Sequence, residues 1–208
     1  CIDGRREIGI LMTTLFRRHV ERWQNCTACS LCAGRQQVVL ARGEIPCDVL
    51  FCGEAPGESE DCIGAPFIGP AGQLLDRIIE RAGFNSQHID LPNNHWRPLR
   101  WAFTNLVCCI PRAEDGGKAT EPNDESIRAC SVRLVEFVEI ADPKLIVCVG
   151  KLAKDWLDPD WRHSIELHRK IPLVAITHPG AIVRANLAMQ GLMTQRCEVV
   201  LRNAVEEL

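Results

Sequence analysis

The stretch CTACSLC sets Cys26, Cys29 and Cys32 at successive two-residue intervals. Thiolates at this spacing converge in a tight turn, where they can hold a zinc ion or an iron–sulfur cluster. Both groups accept four thiolates, so a further ligand has to come from elsewhere, and Cys108, Cys109 and Cys130 are the candidates. Neighbouring residues of a strand point to opposite faces, so only one of Cys108 and Cys109 is expected to face the site. Cys47, Cys52, Cys62, Cys148 and Cys197 read as small buried hydrophobes or free thiols. A second stretch, GEAPGESEDCIGAPFIGPAGQLLDRII from Gly53 to Ile79, has the glycines of a phosphate cradle. It lacks the Lys and the Ser or Thr of a P-loop and the tight glycine spacing of a dinucleotide fingerprint. Its acids Glu54, Glu58, Glu60 and Asp61 would repel a pyrophosphate, so the loop serves another ligand.

Four short apolar runs would position these groups: 47–53, 101–108, 144–150 and 171–177. Helical patterns at about 71–83, 124–141, 151–157 and 187–207 alternate with them, which predicts a largely parallel sheet covered on both faces. Ligands of such sheets gather at the carboxyl ends of the strands, here Gly53, Cys109, Gly150 and Thr177. A first helix over roughly 5–23 is expected outside the sheet, delivering Cys26, and the polar segments 84–100 and 110–123 read as connections. A hydrophobic share of 46% over 208 residues supports one sizeable core. The net charge of −3 excludes a wholly basic binder, though 24 Lys and Arg leave room for a basic face. Twelve cysteines in a chain with strong strand and helix patterns point to metal binding rather than a secreted disulfide scaffold. Arg17, Arg18 and Glu21 break the N-terminal apolar patch and spoil both a signal peptide and a membrane span, so a cytoplasmic, monomeric protein is expected.

The segments NCTACSLCAGR, GEAPGESEDCIGAPFIGPAGQLLDR, TNLVCCIPR, ESIRACSVRL, PKLIVCVG and THPGAIVR follow one another across residues 25–184. In this order they resemble the iron–sulfur (family 4) uracil-DNA glycosylases. The resemblance implies an α/β fold, a three-layer αβα sandwich with a four-stranded parallel central sheet, formed by residues 1–208 as a single domain. It implies a [4Fe–4S] cluster held by Cys26, Cys29, Cys109 and Cys130, with Cys32 spare, and a partner in DNA containing uracil. The glycine-rich loop would then border a flipped-out base, with Gly53 and Ala55 beside it, Phe67 stacked on the ring and Asn105 reading its edge. An amide suits uracil, because its NH₂ donates to O4 while its carbonyl accepts from N3–H; cytosine presents the reversed pair. Glu54 would orient the attacking water, and His178 would stabilise the negative charge that bond cleavage leaves on uracil O2.

Arg184, with weaker support the basic run from Arg162 to Lys170, would grip phosphates. The remaining histidines, His19, His88, His95, His163 and His168, have no partner motif and read as surface residues. No Lys stands in a nucleophile's place, which argues against lyase chemistry. The chain departs from the family pattern in the insertion AEDGGKAT (113–120) and in Ala181, where the family carries an aromatic. A superfamily relative with altered base choice or covalent, tight binding to the abasic site, and a non-catalytic iron–sulfur DNA-binding module, are the rivals. The insertion has no His, which counts against the first, and the presence of Glu54, Asn105 and His178 counts against the second.

Overall fold

A computed structural model of the chain describes residues 14–91, 95–113, 117–160 and 164–208. The predicted first helix is present as α1 over 14–23, and its earlier part lies outside the described residues, as do Arg162 and His163. The strands are β1 (Arg42–Gly43), β2 (Val49–Gly53), β3 (His88–Leu91), β4 (His95–Pro98), β5 (Trp101–Asn105), β6 (Leu145–Val149) and β7 (Leu173–Ile176). The further helices are α2 (Glu58–Ile63), α3 (Pro70–Arg81), α4 (Asp124–Ala141), α5 (Lys151–Leu157), α6 (Pro179–Arg184) and α7 (Leu187–Glu206).

The central sheet has five strands, not four, in the order β1-β5-β2-β6-β7. The four apolar runs form its parallel part, and β1 adds an antiparallel edge beside β5. Two residues, one of them Arg, give no apolar run, so this strand is invisible to periodicity. Gly43 permits it, since its φ is +107° and a Cβ there would lie 2.5 Å from the Trp101 carbonyl oxygen. A second correction concerns 84–100, expected as a connection. It carries a 3₁₀ turn over Phe84–Ser86 and the antiparallel hairpin β3–β4. Its strands alternate histidines and charges with apolar residues and include Pro98, so they lack the apolar continuity of the buried runs.

Strands β2 and β6 are buried along their whole length, as strands covered on both faces must be. Val49, Phe51, Val147 and Val149 point to one side and pack with Leu75, Ile78 and Ile79 of α3 and Leu201 and Val205 of α7. Leu50, Cys52, Ile146 and Cys148 point to the other and meet Ile127, Leu134 and Phe137 of α4 and Trp156 of α5. Each such side chain taken from water contributes roughly 1.5–3 kcal/mol. Helix α4 begins at Asn123, whose side chain accepts from the Ser126 N–H at 2.9 Å.

Helix α1 docks on α4, with Phe16 against Phe137 at 6.1 Å between ring centres. His19, expected at the surface, is buried there, and its Nδ1 lies 2.8 Å from Glu136. The reason is helical phase: Phe16, His19 and Trp23 share one face of α1, and the apolar members bury it. Of the cysteines read as small buried hydrophobes or free thiols, Cys62 is a free thiol exposed on α2. Among the described residues no helix is long and apolar enough to cross a membrane.

Candidate active site

Parallel pairing sets Gly53 of β2 directly beside Asn105 of β5. The next strand of the sheet, β5, pairs on one side of β2 and the following one, β6, on the other, so the crevice beyond these strand ends is where α/β sheets bind ligands. The cleft found there is lined by Glu54, Ala55, Phe67, Asn105, His178 and Arg184, which brings together the residues expected around a base. The backbone of Gly53 abuts the same group.

The glycines answer for the geometry. A Cβ at Gly53 would sit 2.4 Å from Phe67 Cζ and 2.5 Å from Asn105 Oδ1, so only a bare backbone lets that ring and that amide meet over the strand end. At Gly72 a Cβ would come within 2.0 Å of the Phe67 carbonyl oxygen. Phe67 itself has a φ of 56°, a left-handed conformation costly for a bulky residue. Arg42 holds it there, donating to the Pro66 carbonyl at 2.7 Å and the Phe67 carbonyl at 3.0 Å.

The acids of the loop are spoken for as well. Glu60 accepts from the N–H groups of Ile68 at 2.9 Å and Gly69 at 2.8 Å. Asp61 is fully buried, accepts from the Gln36 N–H at 2.9 Å and stands 3.4 Å from Arg112. These two carboxylates fold the loop. Glu54 lines the cleft, as Glu60 does, and its carboxyl is pushed above the usual range by burial, then by the charge of Glu121, with Arg184 opposing. Glu121 and Thr120, which also line the cleft, were not expected in it. Thr120 ends the insertion and Glu121 follows it, and the two arms of this segment are pinned together by the Arg112–Ala119 bridge and a 2.9 Å bond from the Thr120 N–H to the Pro111 carbonyl. The signal was present: the segment runs into α4, whose start has to lie at the carboxyl end of the sheet.

His178 is the N-cap of α6, and its Nδ1 accepts from the Gly180 N–H at 3.1 Å. A neutral imidazole accepting at Nδ1 carries its proton on Nε2. Burial, and then the Arg184 charge, pull the His178 pKa below its ordinary value, so the neutral form prevails. Gly150, with a φ of +100°, makes room for it, since a Cβ would lie 3.1 Å from His178 Cβ. The basic run fares otherwise. Arg169 donates to the Pro143 carbonyl at 2.7 Å and pairs with Asp142 at 2.8 Å, just before β6 begins and so at the opposite end of the sheet from the cleft. His168 pairs with Glu139.

Behind β5 lies a small cavity of about 20 Å³ lined by Cys26, Cys29, Cys108, Cys109 and Cys130, with Val38, Leu40 and Val107 among its apolar walls. Both Cys108 and Cys109 reach it, contrary to the strand-alternation argument, because β5 ends at Asn105 and the two residues lie in the bend beyond. Cys32 does not line it. Arg35 Nη1 donates to Cys109 Sγ at 3.2 Å, while burial pushes the Cys109 thiol up to about 11. The Cys108 thiol donates to Cys130, which favours the Cys130 thiolate. Among the described residues no three His, Cys, Asp or Glu side chains are grouped as for a single metal ion.

Residues 41–202 match the family model of the uracil DNA glycosylase superfamily. A type-4 uracil-DNA glycosylase of Thermotoga maritima is 30% identical over 172 residues, which cover 79% of this chain and 81% of that protein. The type-4 uracil-DNA glycosylase of Archaeoglobus fulgidus is 26% identical with the same coverage of both chains. That of Saccharolobus solfataricus is 33% identical over 64% of this chain and 55% of its own length. With the parallel sheet, the cleft at its strand ends and a relative matched over four fifths of its length, the chain belongs to the uracil DNA glycosylase superfamily and to its type-4 family.

Proposed function

We propose that the chain excises uracil from DNA by hydrolysing the N-glycosidic bond and leaves an abasic site. The single observation that carries this reading is the meeting of Glu54, Phe67, Asn105 and His178 around one cleft, with the His178 proton directed to Nε2 by the Gly180 N–H. A uracil extruded from the duplex enters beside Gly53 and Ala55 and lies against Phe67, while the Asn105 amide pairs with O4 and N3–H. As the bond breaks, negative charge grows on O2 and positive charge on the sugar. The neutral His178 donates from Nε2 to O2, and the Glu54 carboxylate holds the attacking water and faces the cationic sugar. Arg184, exposed at the cleft, contacts the DNA backbone. Since its substrate is DNA, the protein works inside the cell.

Cys26, Cys29, Cys109 and Cys130 would hold a [4Fe–4S] cluster: four thiols from three separate segments line one apolar cavity, the donor set such a cluster takes. When bound, the cluster supplies a crosslink between those segments, and hydrolysis asks no electron of it. The test is release of free uracil from a uracil-containing oligonucleotide, opposite G and opposite A. Stoichiometric release is expected, with no strand cleavage before alkali. An intact substrate after prolonged incubation with iron-loaded protein would overturn the reading.

A further inference from the structure

Arg133 is buried on α4, 1% exposed. Its Nη1 donates to Thr104 Oγ1 at 2.9 Å, and Nη2 donates to the main-chain carbonyls of Asn105 at 2.6 Å and Leu106 at 3.0 Å. Nη2 also lies 3.7 Å from Cys130 Sγ, and Arg133 is part of the wall of the thiol cavity. No carboxylate is among these partners, and Nε has none within the described residues. A guanidinium this deep requires opposite charge nearby, since an unpaired buried ion is strongly destabilising. Carbonyl dipoles answer part of the need. Thiolates gathered around a metal group would answer the rest. The same cation therefore touches the cavity on one side and the backbone of the base-reading residue on the other.

We propose that Arg133 is a positioning residue that couples the loaded thiol cavity to Asn105. Its fork fixes the end of β5, and with it the direction of the Asn105 amide, while the negative charge of the cavity fixes the fork. Thr104, which passes the contact on to the Leu40 carbonyl at 2.9 Å, anchors the other prong. This rests on the reading that the cavity holds the cluster and that Asn105 meets uracil.

The experiment is a double-mutant cycle on iron-loaded protein, with Arg133→Lys, Asn105→Ala and the pair, read by single-turnover uracil release. Iron content and the paramagnetic resonance spectrum of the reduced cluster are read alongside. Wild-type protein that lacks iron or releases no uracil sinks the underlying reading before any variant is compared. Arg133→Lys keeps the charge and loses the fork, so it is expected to keep iron, to shift the spectrum, and to slow release roughly 10- to 100-fold, as loss of a charge-assisted hydrogen bond does. In the Asn105→Ala background the same change is expected to cost no more than about twofold, because no amide is left to misplace. Equal losses in both backgrounds, a wild-type rate, or an unshifted spectrum would each overturn the proposal. Should Arg133→Lys not fold, Thr104→Val frees one prong and leaves the guanidinium, and it enters the same cycle under the same criteria.

Discussion

In the proposed mechanism His178 and Glu54 act on opposite charges of one transition state, and their surroundings shift their pKa values in opposite directions. The His178 ring accepts at Nδ1 from the Gly180 N–H, which fixes Nε2 as the donor. His178→Ala is expected to lower the single-turnover rate about a hundredfold or more with DNA affinity nearly unchanged, the usual loss for a donor that stabilises a developing anion. Rates measured beside binding constants at fixed salt check this, and an equal loss of binding would make His178 a gripping residue. Glu54 has to be ionised to hold water, yet burial and Glu121 raise its pKa. The rate should therefore rise with pH through a midpoint above the ordinary carboxylate range. In stability the sign reverses. A folded-state pKa above the unfolded one favours the fold at low pH and loses that contribution as pH rises through the folded value. Glu54→Gln should thus be inactive but more stable than wild type at neutral pH, with the gain vanishing in acid, as thermal melts over a pH series would reveal.

At the scale of elements, the short approach of α3 to the glycine-rich loop shapes the cleft proposed to take the base. Gly72 lies in the first turn of α3 and its absent Cβ leaves room for the Phe67 backbone. Gly72→Ala would ordinarily favour a helix, but here the methyl meets backbone atoms that cannot swing aside. It should destabilise the fold by about 1–3 kcal/mol, the usual range for overpacking. It should also weaken uracil capture by displacing Phe67, so a melt and a KM measurement taken together are the check. An alanine variant as stable as wild type would show that α3 can slide. The periodic pattern announced α3 and α4 nearly to the residue, because their apolar positions recur at helical spacing. It could not announce β1 or the β3–β4 hairpin, whose short polar strands are held by pairing rather than by burial of an apolar run.

For the whole molecule, three distant segments meet at the thiol cavity, so metal loading and folding should be linked. Anaerobically purified protein is expected to be brown, with about four irons per chain. Cys109→Ser should lose iron and soluble yield, whereas Cys108→Ser should keep both, and iron analysis of the two variants decides which thiol of the bend is the ligand. A colourless protein with one zinc would refute the cluster. The linear order of residues determined the parallel strands, the residues at their carboxyl ends and the family, because these depend on local apolar runs and on motifs read in order. Arg133 gave no sign in the sequence, one Arg on a helix among many, and neither did the place of Glu121 at the cleft. Nor could spacing show that Glu60 and Asp61 turn to main-chain amides, or that Cys108 and Cys109 both reach the cavity. These were decided by tertiary structure, because a side chain's partners depend on which backbone arrives opposite it, and that is fixed only when helices and sheet pack.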